Sequence, residues 1–283
     1  MPARSSTRSL AIGVADAGAG RRTIRDRADT PMIGDRTAPR TGSPFLRLCA
    51  TSILLPLCAL LVAGTASAQS DAIPAFKQLD SMEARAQGCV TCHGQSGQGT
   101  QSGYYPRIAG KPAGYIYNQL VAFRDGTRIY PPMNYLVASL PDAYLREMAE
   151  HFAKLRPSFE PNEATTASAP TLERGRSLAT GGDSEHNIPA CAACHGKGFT
   201  GMEPGIPGLV GLRQSYLVVQ LTRWRAADRH ARAPDCMERV ASRLSDADIT
   251  AVAAWLSQQS PPKDASPDSA DRVRMPLACG SQG

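Results

Sequence analysis

Hydrophobic residues recur with the spacing of a helix face in two well-separated stretches of the chain. Positions i, i+3, i+4 and i+7 lie on one side of a helix, so each stretch predicts an amphipathic helix. The first should begin just after Pro141. The second should begin at Ser245, where Asp248 three residues later completes a variant of the capping box. The apolar positions are Leu145, Met148, Ala149 and Phe152 in the first stretch and Ile249, Val252, Ala253 and Leu256 in the second.

Two other segments, residues 115–123 and 216–224, predict further helices. Neither contains Pro or Gly, and both keep a helical spacing of apolar residues. The alternating patterns typical of strands are scarce along the chain. The fold class predicted from these patterns is all-α.

The repeated helices belong to a longer repeat, because several short motifs also occur twice in the same order. An internal duplication accounts for this arrangement, with one domain in each copy. The matched motifs are C-x-x-C-H at residues 89–93 and 191–195, P-x-x-x-G at residues 106–110 and 207–211, and Y-x-x-x-Q-L beginning at Tyr115 and Tyr216.

The C-x-x-C-H spacing is the attachment signature of c-type haem. Two thiols one helical turn apart add to the haem vinyl groups, and the histidine that follows binds the iron. We therefore expect two covalently bound haem c groups, one in each copy. The attachment residues would be Cys89, Cys92, Cys191 and Cys194, and the proximal iron ligands would be His93 and His195.

A four-cysteine zinc site is the competing interpretation, because two C-x-x-C pairs supply four thiolates. This interpretation does not explain why histidine follows both pairs. Structural zinc pairs also usually belong to intracellular domains. Haem attachment is therefore favoured over zinc binding.

Met133 and Met237 lie at corresponding places in the two copies, each in a predicted loop between the middle and the terminal helix. A thioether ligand favours ferrous iron and raises the reduction potential into the range of an electron carrier. A single methionine would ordinarily be a core residue. Recurrence beside a haem motif favours both as the sixth iron ligands. His230 is the rival ligand for the second iron, whereas His151 and His186 are expected at the surface.

The N-terminal part of the chain differs from the rest in charge and hydrophobicity. The net charge of +6 lies almost entirely in residues 1–68, so the remainder is near neutral, which argues against nucleic-acid binding. Residues 48–63 form an apolar run with arginines before it and small residues after it. This order predicts a cleaved secretory signal peptide and a periplasmic protein. An uncleaved anchor is disfavoured, because the run is shorter than the roughly 20 residues that span a bilayer.

Composition and motifs together predict five segments. Residues 1–68 are an N-terminal extension with the signal peptide, and residues 69–156 are the first domain. A polar, proline-rich linker at 157–170 leads to the second domain at 171–260. The Ser- and Pro-rich tail at 261–283 is expected to be extended or loosely ordered.

From about Asp80 to Gln259, the chain resembles the cytochrome c4 family, dihaem proteins with two class I cytochrome c domains in tandem. The resemblance rests on the duplicated motifs and the two loop methionines. It implies that Pro106 and Pro207 accept hydrogen bonds from the proximal histidines and so fix their ring orientation. It also implies a glycine where the first helix of a domain crosses the last. Gly175 suits that role in the second copy, and the first copy has no obvious equivalent.

Cys236 and Cys279 lie outside the family pattern. In an oxidising compartment they would form a disulfide that ties the tail to the loop of the second haem. The alternatives are a free thiol and ligation of the second iron by the Cys236 thiolate. Thiolate ligation would lower the reduction potential and indicate sulfur chemistry.

The resemblance implies a periplasmic electron carrier without catalytic residues. Its redox partners would be a quinol-oxidising complex or a dehydrogenase as donor and a terminal oxidase as acceptor. The second hypothesis is a dihaem oxidoreductase of the thiosulfate dehydrogenase or peroxidase type, which requires one open or unusually ligated iron. The third is a cytochrome subunit of a membrane-bound dehydrogenase, and peripheral membrane association is left open.

Overall fold

The structure is a computed structural model that describes residues 80–162, 164–272 and 274–282. These residues belong to one compact unit. The predicted signal peptide, the remainder of residues 1–68 and the first residues of the predicted first domain lie outside the described part. Among the described residues, no helix is long and apolar enough to cross a membrane.

Helices make up nearly all the regular structure that is described, which confirms the all-α prediction. The helices of the first copy are α1 (Met82–His93), α2 (Ala113–Arg124), α3 (Pro131–Val137) and α4 (Asp142–Lys154). Those of the second are α5 (Ala169–Thr180), α6 (Ala192–His195), α7 (Gln214–Arg225), α8 (Cys236–Ala241) and α9 (Asp246–Leu256), and the tail adds 3-10 turns at Ala270–Arg272 and Gly280–Gln282.

A small antiparallel sheet follows the second haem motif. Strands β1 (Gly201–Met202) and β2 (Ile206–Pro207) pair with Gly201 opposite Pro207. The pairing leads the chain back towards α6 before α7 begins.

The predicted helix starts are confirmed in both copies. The Ser245 hydroxyl accepts a hydrogen bond from the Asp248 amide, and the Asp248 carboxylate accepts one from the Ser245 amide, so the capping box is complete. Helix α4 follows Pro141 as expected, without a side-chain cap. Helices α2 and α7 cover the two predicted middle segments.

In the second copy, the first long helix crosses the last one at Gly175. A Cβ at this position would lie 2.1 Å from the Ala251 carbonyl oxygen and 2.8 Å from the Trp255 Cβ. Because only glycine permits so close an approach of α5 to α9, the predicted crossing role of Gly175 is confirmed.

The first copy packs its first and last helices differently. A Cβ on Gly88 of α1 would meet nothing closer than the Leu136 side chain at 3.5 Å. Helix α1 instead packs through Ala86 and Val90 in a buried cluster with the α4 side chain of Phe152. Side chains therefore separate the two helices in the described part of this copy.

The hydrophobic core is also distributed unequally. In the second copy, α5, α7 and α9 share one continuous buried cluster, to which Ile188 and Phe199 contribute from the connections. In the first copy the buried residues fall into two smaller clusters, one around Phe152 and one around Leu145. Each copy is small for an independent core, so an attached haem would add much of the apolar surface.

The C-terminal tail is more ordered than its composition predicted. The Asp268 amide donates to the Gly201 carbonyl, and the Asp268 carbonyl accepts from the Glu203 amide, both at 2.8 Å. Further along, Cys279 forms a disulfide with Cys236, which confirms the predicted pairing. A Ser- and Pro-rich sequence disfavours helices, but it does not prevent backbone pairing with a strand or a covalent crosslink.

Candidate haem sites

The first haem motif occupies the last turn of α1. Cys89 and Cys92 are three residues apart on this helix, so both thiols lie on the same side of it. Gly94 then ends the helix with φ of 84°, a conformation that glycine adopts readily. A single continuous helix thus carries both thiols and His93.

The second motif has a different local support. Cys191 precedes α6, a single turn that ends at His195, and residues 181–191 separate this turn from α5. An antiparallel bridge between Asp183 and Ile188 closes the intervening loop. The duplicated motif is therefore held by a continuous helix in one copy and by a separate turn in the other.

The proximal histidines make the hydrogen bonds that the family resemblance implied. The His93 Nδ1 lies 2.9 Å from the Pro106 carbonyl oxygen, and the His195 Nδ1 lies 2.7 Å from that of Pro207. A carbonyl oxygen can only accept, so Nδ1 donates in each case. Nε2 consequently keeps a free lone pair, and it is the ring nitrogen that would bind iron.

Burial keeps these imidazoles neutral. It lowers the pKa of His93, and it lowers the pKa of His195 to about 4. Burial also raises the pKa of the Cys89 and Cys191 thiols to about 11. At neutral pH both histidines of the motifs are therefore neutral imidazoles, the form that binds iron.

The two C-x-x-C pairs do not meet in space. In the part of the chain that the structure describes, the one group of three His, Cys, Asp or Glu residues close enough to share a metal ion is His230, Asp235 and Glu238. No cysteine belongs to it. The four-cysteine zinc interpretation therefore has no geometric support among the described residues.

The methionines lie on short helices, whereas the sequence placed them in loops. Met133 is the third residue of α3 and packs against the buried cluster that contains Leu145. Met237 is the second residue of α8, whose first turn is capped by the Asp235 carboxylate. Both helices lie between the middle and terminal helices, at corresponding places in the two copies. Ligation by these two methionines stays a prediction.

The rival ligands of the second iron have other partners. The Cys236 sulfur is bonded to Cys279, so it is not free to ligate iron as a thiolate. The His230 side chain is about half exposed, with its Nδ1 4.0 Å from a Glu238 carboxylate oxygen. His186 is exposed beside Asp183, in agreement with its predicted place at the surface.

Comparisons with known proteins place the chain in a family. The cytochrome c family model matches residues 172–260. A thiosulfate dehydrogenase electron acceptor from Thiomonas intermedia is 37% identical over 75% of this chain and 97% of its own length. Cytochrome c4 of Pseudomonas aeruginosa is 30% identical over 62% of this chain and 85% of its own length. The chain belongs to the cytochrome c4 family.

The fold agrees with this assignment. The crystal structure of reduced cytochrome c4 from Pseudomonas stutzeri superposes with a TM-score of 0.55 and 26% identity, over 63% of this chain and 96% of that one. The predicted tandem of class I cytochrome c domains is thereby confirmed. This cytochrome carries two covalently bound haem c groups and transfers electrons.

A pair of arginines that the sequence analysis did not single out joins the two copies. Arg128 donates to Gln119 of its own copy and to Tyr216 and Gln220 of the other, at 2.9 to 3.1 Å. Arg229 donates to Gln220 of its own copy and to Gln119 of the other. Each arginine thus contacts the same two glutamines, one from each copy. The signal was present in the sequence, because both arginines follow their middle helix at the same distance.

These cations are buried without carboxylate partners among the described residues. Arg229 is 2% exposed and Arg128 is 9% exposed, and the Arg229 Nε has no hydrogen-bond acceptor in the part of the chain that the structure describes. Lys111, 8% exposed, donates to the Gly208 carbonyl of the other copy, at 2.7 Å. Burial lowers the pKa of Arg229 to about 10 and that of Lys111 to about 7.

Buried cations of this kind require a compensating anion. Each haem c bears two propionate carboxylates, so the charge of the interface fits the cofactor that the motifs predict. The clearest observation in favour of a propionate partner is the Arg229 Nε, a buried donor without an acceptor among the described residues. Arg128, Arg229 and Lys111 are the residues of this chain that would neutralise such carboxylates.

Proposed function

We propose that this cytochrome is a periplasmic electron carrier that accepts electrons from a thiosulfate-oxidising dehydrogenase and delivers them to a terminal oxidase. The observation that carries the proposal is the Cys236–Cys279 disulfide. It removes the one thiolate that would have given the second iron an unusual ligand. Both copies then offer the same set of candidate ligands, one histidine and one methionine, which suits transfer of single electrons.

The chain contributes ligands and their orientation. His93 and His195 are the proposed proximal ligands, and the carbonyls of Pro106 and Pro207 hold their rings with Nε2 free. Met133 and Met237 are the proposed sixth ligands. Thioether attachment is proposed at Cys89, Cys92, Cys191 and Cys194. Haem, when bound, supplies the one-electron chemistry of its iron, and no further catalytic residue is needed.

The choice of donor is supported by the relative from Thiomonas intermedia, which is named for accepting electrons from thiosulfate dehydrogenase and is covered over 97% of its length. A quinol-oxidising complex is the other donor that the family resemblance allows. Export by a cleaved signal peptide would place the cytochrome in the periplasm, where haem is attached to c-type motifs.

The test uses the oxidised protein carrying both haems. Mixed with catalytic amounts of a thiosulfate dehydrogenase and excess thiosulfate, it should become fully reduced, accepting two electrons per chain. Stopped-flow absorbance of the haem bands would measure the reaction. A quinol-oxidising complex with a quinol substrate provides the comparison, and it should reduce the cytochrome more slowly.

The control omits the dehydrogenase. Thiosulfate alone should leave both haems oxidised, and carbon monoxide should not bind to the reduced protein, because neither iron has an open position. Rapid reduction by thiosulfate alone, or ready binding of carbon monoxide, would instead favour the enzyme hypothesis.

A further inference from the structure

The C-terminal tail contacts the chain at two places, one just after His195 and one just before Met237. We call residues 261–282, apart from residue 273, the C-terminal strap. One part of it lies against the chain just after His195, and its end is bonded to the residue before Met237. The two proposed axial ligands of the second iron thus lie next to two anchor points of a single segment.

The first anchor point is beside the haem motif. An added Cβ on Gly196, the residue after His195, would lie 2.6 Å from an Asp268 carboxylate oxygen. The Asp268 amide also donates to Gly201 of β1, and its carbonyl accepts from the Glu203 amide just after the strand. The strap therefore packs directly on the turn that leaves the second haem motif.

The second anchor point is beside Met237. Cys279 is bonded to Cys236, and the Gly280 amide donates to the Pro234 carbonyl at 2.9 Å. Gly280 lies so close to this loop that a Cβ on it would be 2.3 Å from the Ala233 carbonyl oxygen. A covalent bond and close backbone packing thus restrain the segment that leads into α8.

The end of the strap is also held from its other side. The Gly205 amide donates to the Gln282 side-chain oxygen at 3.2 Å, and a Cβ on Gly205 would lie 1.7 Å from the Ser281 carbonyl oxygen. Gly205 belongs to the turn between β1 and β2. The end of the strap is therefore packed between this turn and the loop that precedes Met237.

The first copy has no counterpart to this arrangement in the described residues. Pro131 and Pro132, which correspond to Asp235 and Cys236, are exposed. Two residues after Met133, Tyr135 is 88% exposed. Met133 and Met237 are both half-buried, but exposed residues flank Met133, whereas the residue before Met237 is crosslinked to the strap.

We propose that the C-terminal strap, with its Cys236–Cys279 disulfide, is a positioning element that holds Met237 on the second iron. The inference rests on the ligand role of Met237 in the proposed function. A sixth ligand on a short helix leaves the iron whenever that segment moves, and a crosslink reduces such local opening. The segment that carries Met133 is held by noncovalent contacts, namely packing on the cluster around Leu145 and hydrogen bonds of the Asn134 side chain.

The experiment measures binding of imidazole to the ferric protein carrying both haems, because imidazole enters only when the methionine leaves. The test variant is the double substitution Cys236→Ser with Cys279→Ser. We expect the phase that belongs to the second haem to become about tenfold faster or more, given the loop that the crosslink closes. The phase that belongs to the first haem should not change. The far-red sulfur-to-iron absorption of the second haem should be lost at a lower temperature.

Reference variants assign the phases. Met133→Ala and Met237→Ala each open one iron and so identify its signal. Ser245→Ala removes the α9 cap without touching the strap, so it controls for general loosening of the second copy, and it should leave imidazole binding unchanged. Gly205→Ala pushes the strap off its turn with the disulfide intact, and it should accelerate the second phase to a smaller extent.

The outcomes separate the inference from the function on which it rests. If Met237→Ala opens the second iron but the strap variants bind imidazole at the original rate, the positioning role is wrong and the carrier function stands. Equal acceleration at both haems, or by Ser245→Ala, would also overturn the positioning role. If Met237→Ala leaves the second haem unchanged, the ligand assignment itself is wrong, and the positioning role fails with it.

Discussion

The two copies hold the same candidate iron ligands on differently built supports. In the first copy, α1 runs unbroken into the haem motif, the buried residues form two clusters, and no crosslink holds the Met133 segment among the described residues. In the second, a short turn carries the motif, one core joins the helices, and the tail is crosslinked beside Met237. Short motifs thus place the ligands locally, whereas the stability of each site comes from a different source.

The largest expected effect comes from removing one haem at a time. Cys89→Ala with Cys92→Ala should leave the first copy unfolded and sensitive to protease, because its two small clusters do not form a continuous core without haem. Cys191→Ala with Cys194→Ala should be less damaging, since the second copy retains its single core and its disulfide. Mass spectrometry would show one haem in each variant, and limited proteolysis would map the unfolded part.

The matched variant in each copy is the control for the other. If the first copy without haem resists proteolysis as well as the second copy without haem, the proposed difference in their dependence on the cofactor is wrong.

Removing Met133 or Met237, the proposed sixth ligands, tests whether the two irons are ligated alike. Met133→Ala and Met237→Ala should each abolish one share of the far-red sulfur-to-iron absorption. Each should also lower one reduction potential by on the order of 100 mV, because a thioether stabilises ferrous iron. Spectroelectrochemistry resolves both haems in one titration. A normal second haem in Met237→Ala, together with a changed one in His230→Ala, would transfer the ligand role to His230.

The smallest expected effect concerns the helix crossings. Gly175→Ala should destabilise the second copy by about 2 kcal/mol, because the added methyl meets the α9 backbone. Gly88→Ala, in the exposed part of α1, should instead stabilise the first copy by about 0.5–1 kcal/mol through helix propensity. Chemical denaturation of the protein with both haems measures each change. Equal effects of the two substitutions would mean that the crossings do not differ.

Much of the architecture was readable from the sequence, because it depends on residues that are close along the chain. Apolar spacing located α2, α4, α7 and α9, and Ser245 with Asp248 fixed the start of α9. The duplicated motifs indicated the family and the hydrogen bonds of both histidines to Pro106 and Pro207. Placement of the methionines in loops was wrong in detail, since helices of six or seven residues are too short to show periodicity.

What only the tertiary structure decided involves residues far apart in sequence. The pairing of Arg128 and Arg229 across the copies depends on how two domains dock, and neither arginine differs locally from a surface residue. The course of the C-terminal strap could not be predicted from the sequence for a similar reason. Its contacts are backbone hydrogen bonds and close glycine packing, which leave no periodic pattern in the sequence. The cysteines alone indicated where its end is held.

The sequence by itself thus determined the helices and the haem motifs, through local spacing and chemistry. The docking of the copies and the attachment of the strap beside Met237 arise from long-range burial of polar groups and a crosslink, which only the folded chain brings together.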